Sequence, residues 1–556
     1  MQFLVPWLKG MKAQGWRSTL FSGKNRSGLK QSASGPQSFF DRCITKGATA
    51  QPTPAGRVKT LYKMIILLLV LAVAGAYWLH WARRAQRLDL MTASLPGPPT
   101  LPLLGNAMLF IGDSEKMLQN LEHLASMAYE NKGCVKLWLG PKLYVAIANA
   151  EDAQVVLENC LDKDVVYRFL RPWLGHGLFV APVGLWKSHR KVLLPVFHNK
   201  IVEEYLGVIA EQSSVLLDRL AEKSGKEEFD VLKYITACTL DIVFETAMGE
   251  RMDVQRTPDT PYLRARHTVM TILNLRLFKV WLQPDCLFNL TAYAKQQKDN
   301  IDLTHKFTDE VVKKKRMEYE MSKTEVSTSN KRSGKLRAVL DLLFGREIEF
   351  TDEQLREHID SITIAGNDTT ALVIAYTLVL LGIHQDVQQK VLDEQLSIFE
   401  ESKRGPDRED ISKMNYLERV IKESMRLYTV VPIIARSVHQ DTYLPNCGVT
   451  IPAGAGAVVG AFAVHRSEKE WGPDANEFDP DRFLPERSVN RHPAAFLPFS
   501  YGSRNCIGRN FGMLIMKSII SSVVRSYKIE ANTIDRLKIE ILLFPINGHI
   551  IKIERR

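Results

Sequence analysis

Residues 498–517 read PFSYGSRNCIGRNFGMLIMK: a single cysteine, Cys506, stands between Gly502 and Gly508, with Arg504 and Arg509 close by and an apolar helical run directly after. A thiolate is stabilised by backbone N–H groups and by the positive end of a helix dipole, and this turn offers both. The glycines let a flat ligand come close to the backbone, and Arg504 suits an anionic group on that ligand. Two other chemistries fit the same residues. One is a cysteine nucleophile, whose histidine base would have to come from elsewhere in the fold; the other is an inert buried thiol on a turn.

Further constellations lie upstream. Glu423 and Arg426 in YLERVIKESMRLY are three apart, so they share a helix face, and on a surface such a pair stabilises little. Trp186 and Arg190 in WKSHR are four apart on another predicted helix, an arrangement that also suits plain packing beside a solvated cation. The stretch SITIAGNDTTALVIAYTLVLL, residues 361–381, is an apolar helix interrupted by Gly366, Asn367, Asp368, Thr369 and Thr370. Polar side chains there either bond back to their own helix carbonyls or have a task, because a buried polar patch without partners is costly. Gly454-x-Gly456-x-x-x-Gly460 approaches a dinucleotide fingerprint, but the spacing is wrong and no β-α-β unit surrounds it.

The elements that must position these residues are mainly helical. EDAQVVLEN, VEEYLGVIAEQSSVLLDRLAEK and DVQQKVLDEQLSIFEESKR show apolar residues three and four apart. Strand-like pieces come late: GVTIPAG, GAVVGAFAV and IEILLFPINGHIIKIERR, the last read as a hairpin turning at Asn547-Gly548. The polar tract at 322–335 reads as a solvated loop. Of the net charge of +11, residues 1–63 hold eleven Lys or Arg against Asp41 alone, so the rest of the chain is close to neutral and a nucleic-acid partner is excluded. The seven cysteines (Cys43, Cys134, Cys160, Cys238, Cys286, Cys447, Cys506) form no C-x-x-C pair, which predicts unpaired thiols in a reducing compartment. Residues 64–82 carry no charge and span roughly 28 Å as a helix, enough to cross a bilayer core. Arginines at 83, 84 and 87 and the proline-rich LPGPPTLPLLGN follow, a stiff connector over 83–106 leading to a catalytic body at 107–556. Residues 1–63 read either as a transit-like segment or as a disordered stretch ahead of a native start at Met64, which would place the body in the cytosol.

Phe499-x-x-Gly502-x-Arg504-x-Cys506-x-Gly508 resembles the haem-binding signature of the cytochrome P450 monooxygenases. The other landmarks stand in order: Ala365-Gly-Asn-Asp368-Thr369-Thr, Glu423-x-x-Arg426 and Pro480-Asp-Arg482-Phe. The resemblance covers about 460 residues and implies one mainly α domain with a minor β region, the cytochrome P450 fold, behind an N-terminal transmembrane anchor. It implies haem b with Cys506 as the proximal thiolate ligand. Phe499 and Gly508 would shape the proximal loop, while Trp186, Arg190, Arg436 and Arg504 would hold the propionates. Thr369, assisted by Asp368, would manage protons on the distal side, and Glu423, Arg426 and Arg482 would form a buried structural cluster.

The segments WKSHRKVLLPVFH and FDPDRFLPERSVNRHPAAFLPFSYGSRNCIGRNFGM are most similar to family 4 members, insect-like ones especially. Many of these carry a glutamate that attaches covalently to haem; here Ala365 stands in its place, so non-covalent haem is expected, and Asn367 replaces a common histidine. The implied activity is insertion of one atom of O2 into an apolar substrate. Electrons would come from NADPH–cytochrome P450 reductase, with cytochrome b5 as an optional second donor. The implied location is the endoplasmic reticulum membrane, or the mitochondrion if residues 1–63 are a transit segment. The same fold also hosts isomerases and dehydratases that use no O2, and a haem carrier or sensor is a rival of another class. Pocket walls are expected from Phe169–Leu178, Ile364, Ala365, Val430–Ile434 and Phe544–Gly548.

Overall fold

The computed structural model describes residues 54–325, 337–346, 349–534 and 536–556, so expectations for residues 1–53 lie outside it. Helix α1 (Pro54–Met91) is continuous: it starts upstream of Met64 and runs past Ala82, so neither boundary of the expected anchor is a helix end. Met64 to Val73 are exposed around the whole helix, unlike a core element. Among the described residues one stretch is long and apolar enough to span a bilayer, within Asp352–Ile383, and it is 72% buried, a core helix.

The chain divides into a unit ending at Tyr77 and a unit from Trp78 to Arg556. Within the second, residues 83–106 are no free spacer. Leu88 and Leu95 are buried at 5% exposure, Asp89 pairs with Lys136 (2.8 Å), and the Lys136 N–H donates to Pro96 O (2.8 Å).

The order continues α2 (Ser114–Glu130), β1 (Cys134–Leu139), β2 (Lys142–Ile147), α3 (Ala150–Asn159), α4 (Val183–Leu193), α5 (Leu206–Ala221), β3 (Phe229–Asp230), α6 (Leu232–Val243), α7 (Pro261–Phe278) and α8 (Ala292–Glu325). It is followed by α9 (Asp352–Ile383), α10 (Gln385–Phe399), α11 (Asn415–Leu427), β4 (Ile434–Ser437), β5 (Thr442–Leu444), β6 (Val449–Ile451), β7 (Gly456–Val459) and α12 (Arg509–Ser526). Four short strands end the chain: β8 (Tyr527–Glu530), β9 (Leu537–Ile539), β10 (Leu543–Pro545) and β11 (Ile550–Arg555). The sheets run β1-β2-β7-β4, β3-β11-β8, β10-β9 and β5-β6.

Helix α9 is the axis of the molecule. A capping box of Thr351 and Gln354 starts it, and its Ala371–Leu381 half is buried against α5, α11 and α12. The helix runs through the polar patch, and the back-bonding alternative holds for part of it: Ser361, Thr363, Thr369 and Thr377 each donate a hydroxyl to the carbonyl four residues back.

Four further expectations are corrected. The C-terminal hairpin does not form: β10 pairs with β9, and β11 with β3 and β8. Leu543 gives its N–H to Val430 O (3.1 Å) and Pro545 has none to give, so β10 cannot zip onto β11 even though Gly548 turns at φ +84°. GAVVGAFAV is a strand only to Val459; Gly460 then starts a helical turn over Ala461–Val464. The tract at 322–335 begins inside α8, which runs to Glu325. Finally, Cys134 and Cys447 are joined by a disulfide. They are 313 residues apart, a pairing that spacing conceals and the fold creates: β1 starts at one, the β5–β6 turn holds the other, and their Cα atoms are 6.3 Å apart. The buried Asp152 carboxylate accepts the N–H groups of Asn446 (3.0 Å) and Cys447 (3.1 Å) beside it.

Unreduced digests of the protein are therefore expected to release a linked peptide pair containing Cys134 and Cys447, which reduction separates. Cys447→Ser should lower unfolding stability by about 2–4 kcal/mol in denaturant titrations.

Candidate active site

Cys506 sits two residues before Gly508, the N-cap of α12, and its N–H closes a loop onto Phe499 O (2.9 Å). Gly502 has φ +71°, and a Cβ there would stand 2.8 Å from Leu157 O on α3, so both conformation and space require glycine. A Cβ at Gly508 would come within 4.0 Å of the Cys506 sulfur. The thiol is accessible, yet surrounding protein desolvates it enough to push it above the ordinary thiol value; the Gly508 N–H, Arg190 and Arg509 pull the other way. Surface exposure and desolvation point apart here because the sulfur faces a recess: open on one side, enclosed on the others.

The cations around this recess are unusual. Trp186 is buried at 3% exposure on α4, with the guanidinium groups of Arg504 (4.9 Å) and Arg190 (5.7 Å) over its ring. Arg190 donates to Asn505 O (2.8 Å) and Oδ1 (2.6 Å), clamping the residue before the cysteine. Arg504 reaches Leu161 O (2.7 Å) and Ala181 O but leaves Nε without a partner. Arg436, on β4 and 2% exposed, finds only its neighbour's carbonyl, Ala435 O (3.2 Å), and its Nε is also orphaned. Lys163 bridges in backbone register to Arg436, with its amine over the rings of Phe179 (3.7 Å) and Tyr167 (4.4 Å).

None of Lys163, Arg436 and Arg504 forms an ion pair with an acid among the described residues. Burial first, and then the repulsion of Arg436 and Arg504, holds Lys163 well below its ordinary value. Burial and Arg436 bring Arg504 down to about 10, and burial lowers Arg436. Arg436 and Arg504 are buried with an orphaned Nε each, Lys163 is partly exposed but enclosed by protein around its amine, and none has a counter-charge, a set that suits a dianionic ligand. The donor set thus fits the two carboxylates of a porphyrin. Lys163 escaped the sequence reading because a lone lysine in CLDKDVVYRF has no local signal; only its pairing with Arg436 reveals it.

On α9, Ala365 is exposed and Thr369 half-exposed, whereas Ser361, Thr363, Asn367 and Thr370 are buried. Residues 365 and 369 share a helix face, so this face meets an opening inside the molecule. The Thr369 hydroxyl donates to Ala365 O (2.6 Å). Asp368 accepts from Asn367 Nδ2 (3.1 Å) and from Arg266 Nη2 on α7 (2.6 Å), and Asn367 Oδ1 accepts from Thr239 (2.6 Å) on α6. Burial alone would lower Arg266, but Asp368 carries it above its usual value. A Cβ on Gly512 would lie 3.8 Å from the Thr370 hydroxyl, so one turn beyond the cysteine α12 already lies against α9.

The 169–178 loop is wedged on the same helix, where a Cβ on Gly177 would fall 2.3 Å from Ser361 Oγ, and Phe169 packs in one cluster with Ile364. Val430 and Phe544 belong to the α9 core cluster, with Val431 exposed beside them. A cavity of about 150 Å³ lined by Arg316, Tyr319 and Arg346 contains none of these residues.

Beneath the site lies the charge cluster. Arg426 spends all five donors: two on Glu423 (2.7 Å each) and three on the carbonyls of His465, Ala475 and Glu477. Arg482 Nε stands 3.4 Å from the same Glu423, and its far end pairs with Asp474 (2.6 Å). His465 accepts the Leu497 N–H at Nε2 (2.7 Å), which leaves its proton on Nδ1, facing Thr429 Oγ1 (2.7 Å). The resemblance places His465 only at the end of a strand pair; in the structure it ties the cluster to the segment entering the Cys506 loop.

The cytochrome P450 family profile matches residues 95–553. The chain is 36% identical over 521 residues to Cytochrome P450 4c3 of Drosophila melanogaster, covering 90% of this chain and 96% of that protein. It is 36% identical over 467 residues to human Cytochrome P450 4V2, covering 82% and 88%. The crystal structure of the cytochrome P450DA heme domain superposes with a TM-score of 0.72 at 22% identity, over 83% of this chain and 97% of that one, a likeness of fold.

Burial drives His465, His358 and His549 each down to about 3. Unfolded histidines titrate near 6.5, so below that pH the unfolded chain takes up protons the folded one refuses. Stability should fall as pH drops from about 6.5 toward 3, by up to ~1.4 kcal/mol per pH unit per histidine. Buried Asp360, held up at about 7, opposes part of this slope; denaturant titrations from pH 7.5 to pH 5 will read the net slope, and His549→Gln should make it shallower.

Proposed function

The chain belongs to the cytochrome P450 family of haem-thiolate monooxygenases, and from that premise we propose that Cys506 is the thiolate ligand of its haem b and that the substrate is an apolar organic molecule such as a lipid, hormone or xenobiotic. The observation that carries the assignment is the set of desolvated cations without an acid partner, Arg436 and Arg504 buried and Lys163 partly exposed, beside an accessible cysteine at a helix N-terminus.

When bound, haem supplies the chemistry: activation of O2, insertion of one oxygen atom into the substrate and release of the other as water. The residues do the rest. Lys163, Arg436 and Arg504 offer charge-assisted hydrogen bonds to the carboxylates, and Trp186 stacks the Arg504 guanidinium in place. Arg190 fixes Asn505 and lends positive potential to the Cys506 sulfur, favouring thiolate over thiol. Thr369 offers a hydroxyl at the opening and Asp368 a carboxylate one residue away, so a proton can pass from solvent to the Thr369 face once Asp368 turns from Arg266. Apolar side chains from the 169–178 loop and Ile364 keep bulk water out.

Family membership implies a redox partner, and NADPH–cytochrome P450 reductase is proposed for that part, with cytochrome b5 as an optional second donor. The apolar circumference of α1 supports a membrane anchor, for which the endoplasmic reticulum membrane is proposed.

Three measurements test the reading. The reduced protein with carbon monoxide should show the strongly red-shifted Soret band of a thiolate-ligated haem, and Cys506→His should abolish it; a histidine-type spectrum in the unaltered chain would overturn the assignment. Thr369→Val should keep that band while turning over an accepted substrate with reductase about a hundred-fold more slowly. Because the methyl group of Ala365 cannot form an ester, acidified organic solvent should extract all the haem and leave a polypeptide of unmodified mass.

A further inference from the structure

Arg276 has no part in the chemistry described so far, yet it is among the most tightly held cations in the molecule. It lies near the end of α7 and is 4% exposed. Its guanidinium sits over two aromatic rings, Phe169 at 4.6 Å and Phe288 at 4.0 Å. Nε donates to Leu282 O (3.2 Å), and Nη2 pairs with Asp285, whose carboxylate is largely exposed. One side chain therefore joins three segments: α7, the 280–288 stretch that follows it, and the 165–170 turn. A second contact runs the same way, since Arg168 Nη2 donates to Gln283 O (3.0 Å) with its own guanidinium 4.9 Å from the Phe169 ring. Phe169 is 4% exposed and packs in one apolar cluster with Val269 and Leu273 of α7 and with Ile364, the neighbour of Ala365 on the open face of α9.

We infer that Arg276 is a positioning residue for substrate selection, which sets the Phe169 wall of the pocket by pinning that ring to the 280–288 segment. A planar guanidinium stacked on one aromatic face and anchored by a carboxylate on the other side fixes the ring more firmly than apolar contact alone, because the attraction depends on face-on geometry. Charge matters as well as shape: the exposed Asp285 holds the guanidinium from the solvent side, so the ring is not free to follow an entering molecule.

The inference rests on the reading that Phe169 lines the haem pocket, and the test separates the two. Imidazole and 4-phenylimidazole bind haem through the same nitrogen and differ only in the ring that must fit above it. Spectral titration of the haem-loaded full chain gives the ratio of their dissociation constants, a size discrimination that a general loss of stability does not shift. Arg276→Met, which keeps the apolar stem, and Phe169→Leu should each change the ratio by about five-fold, with imidazole affinity unaltered in Arg276→Met. The double variant should show no more than the larger single effect, since both remove one contact. An unchanged ratio in Phe169→Leu would sink the pocket reading itself. A changed ratio there with an unchanged one in Arg276→Met, or additive effects in the double variant, would overturn the role of Arg276 and leave the pocket reading intact. Should Arg276→Met fail to hold haem, Arg276→Lys and Asp285→Asn decide: each weakens the stack while retaining polarity, and a wild-type ratio in both counts against the inference.

Discussion

Glu423, Arg426 and Arg482 carry charge where water does not reach, and the architecture around the cysteine follows from satisfying them. Two buried guanidinium groups share one buried carboxylate, and the remaining donors of Arg426 reach the carbonyls of His465, Ala475 and Glu477. Those carbonyls come from irregular chain, which no helix or sheet ladder would otherwise organise. The cluster thus acts as a template. It folds residues 465–484 around itself, and His465 passes the constraint to Leu497, nine residues before the cysteine. Such a cluster is poor as a source of stability, because two charges leave water for every pair formed, but it specifies one arrangement strongly.

The second constraint is steric. Gly502 must be glycine because Leu157 O occupies the space a side chain would need. This close approach fixes the separation between the cysteine loop and α3 by a backbone contact, which tolerates less variation than side-chain packing. Against α9 the approach is looser: a Cβ at Gly512 would stand in ordinary contact with the Thr370 hydroxyl and the Met516 side chain.

Much of this was legible in the sequence, for physical reasons that differ by residue. The cysteine turn, the Glu423–Arg426 pair and the Asp368-Thr369 patch announce themselves because each breaks a local rule: a thiol among glycines, charges on a buried face, polar groups in an apolar helix. Lys163, His465 and Arg276 break no local rule, and their meaning comes from partners more than a hundred residues away or, for His465, from a turn thirty-two residues downstream. The missing hairpin has the opposite cause. Asn547-Gly548 does turn the chain, but the partner strands are chosen by Val430 and by β3 and β8, which a local pattern does not contain. The disulfide was hidden because pairing depends on the β5–β6 turn reaching β1, a tertiary event.

The electrostatics of the site are unfavourable in the protein taken alone. Lys163, Arg436 and Arg504 are each desolvated and repel one another, so without a dianion they oppose the fold that assembles them. On the proposed reading, carboxylates brought among them would remove that penalty and add charge-assisted hydrogen bonds, so the free energy of cofactor binding and that of folding would be linked. Arg504 cannot relax toward solvent without unmaking its contacts with Leu161 and Ala181. The polypeptide holds in advance a shape of charge that only its ligand completes.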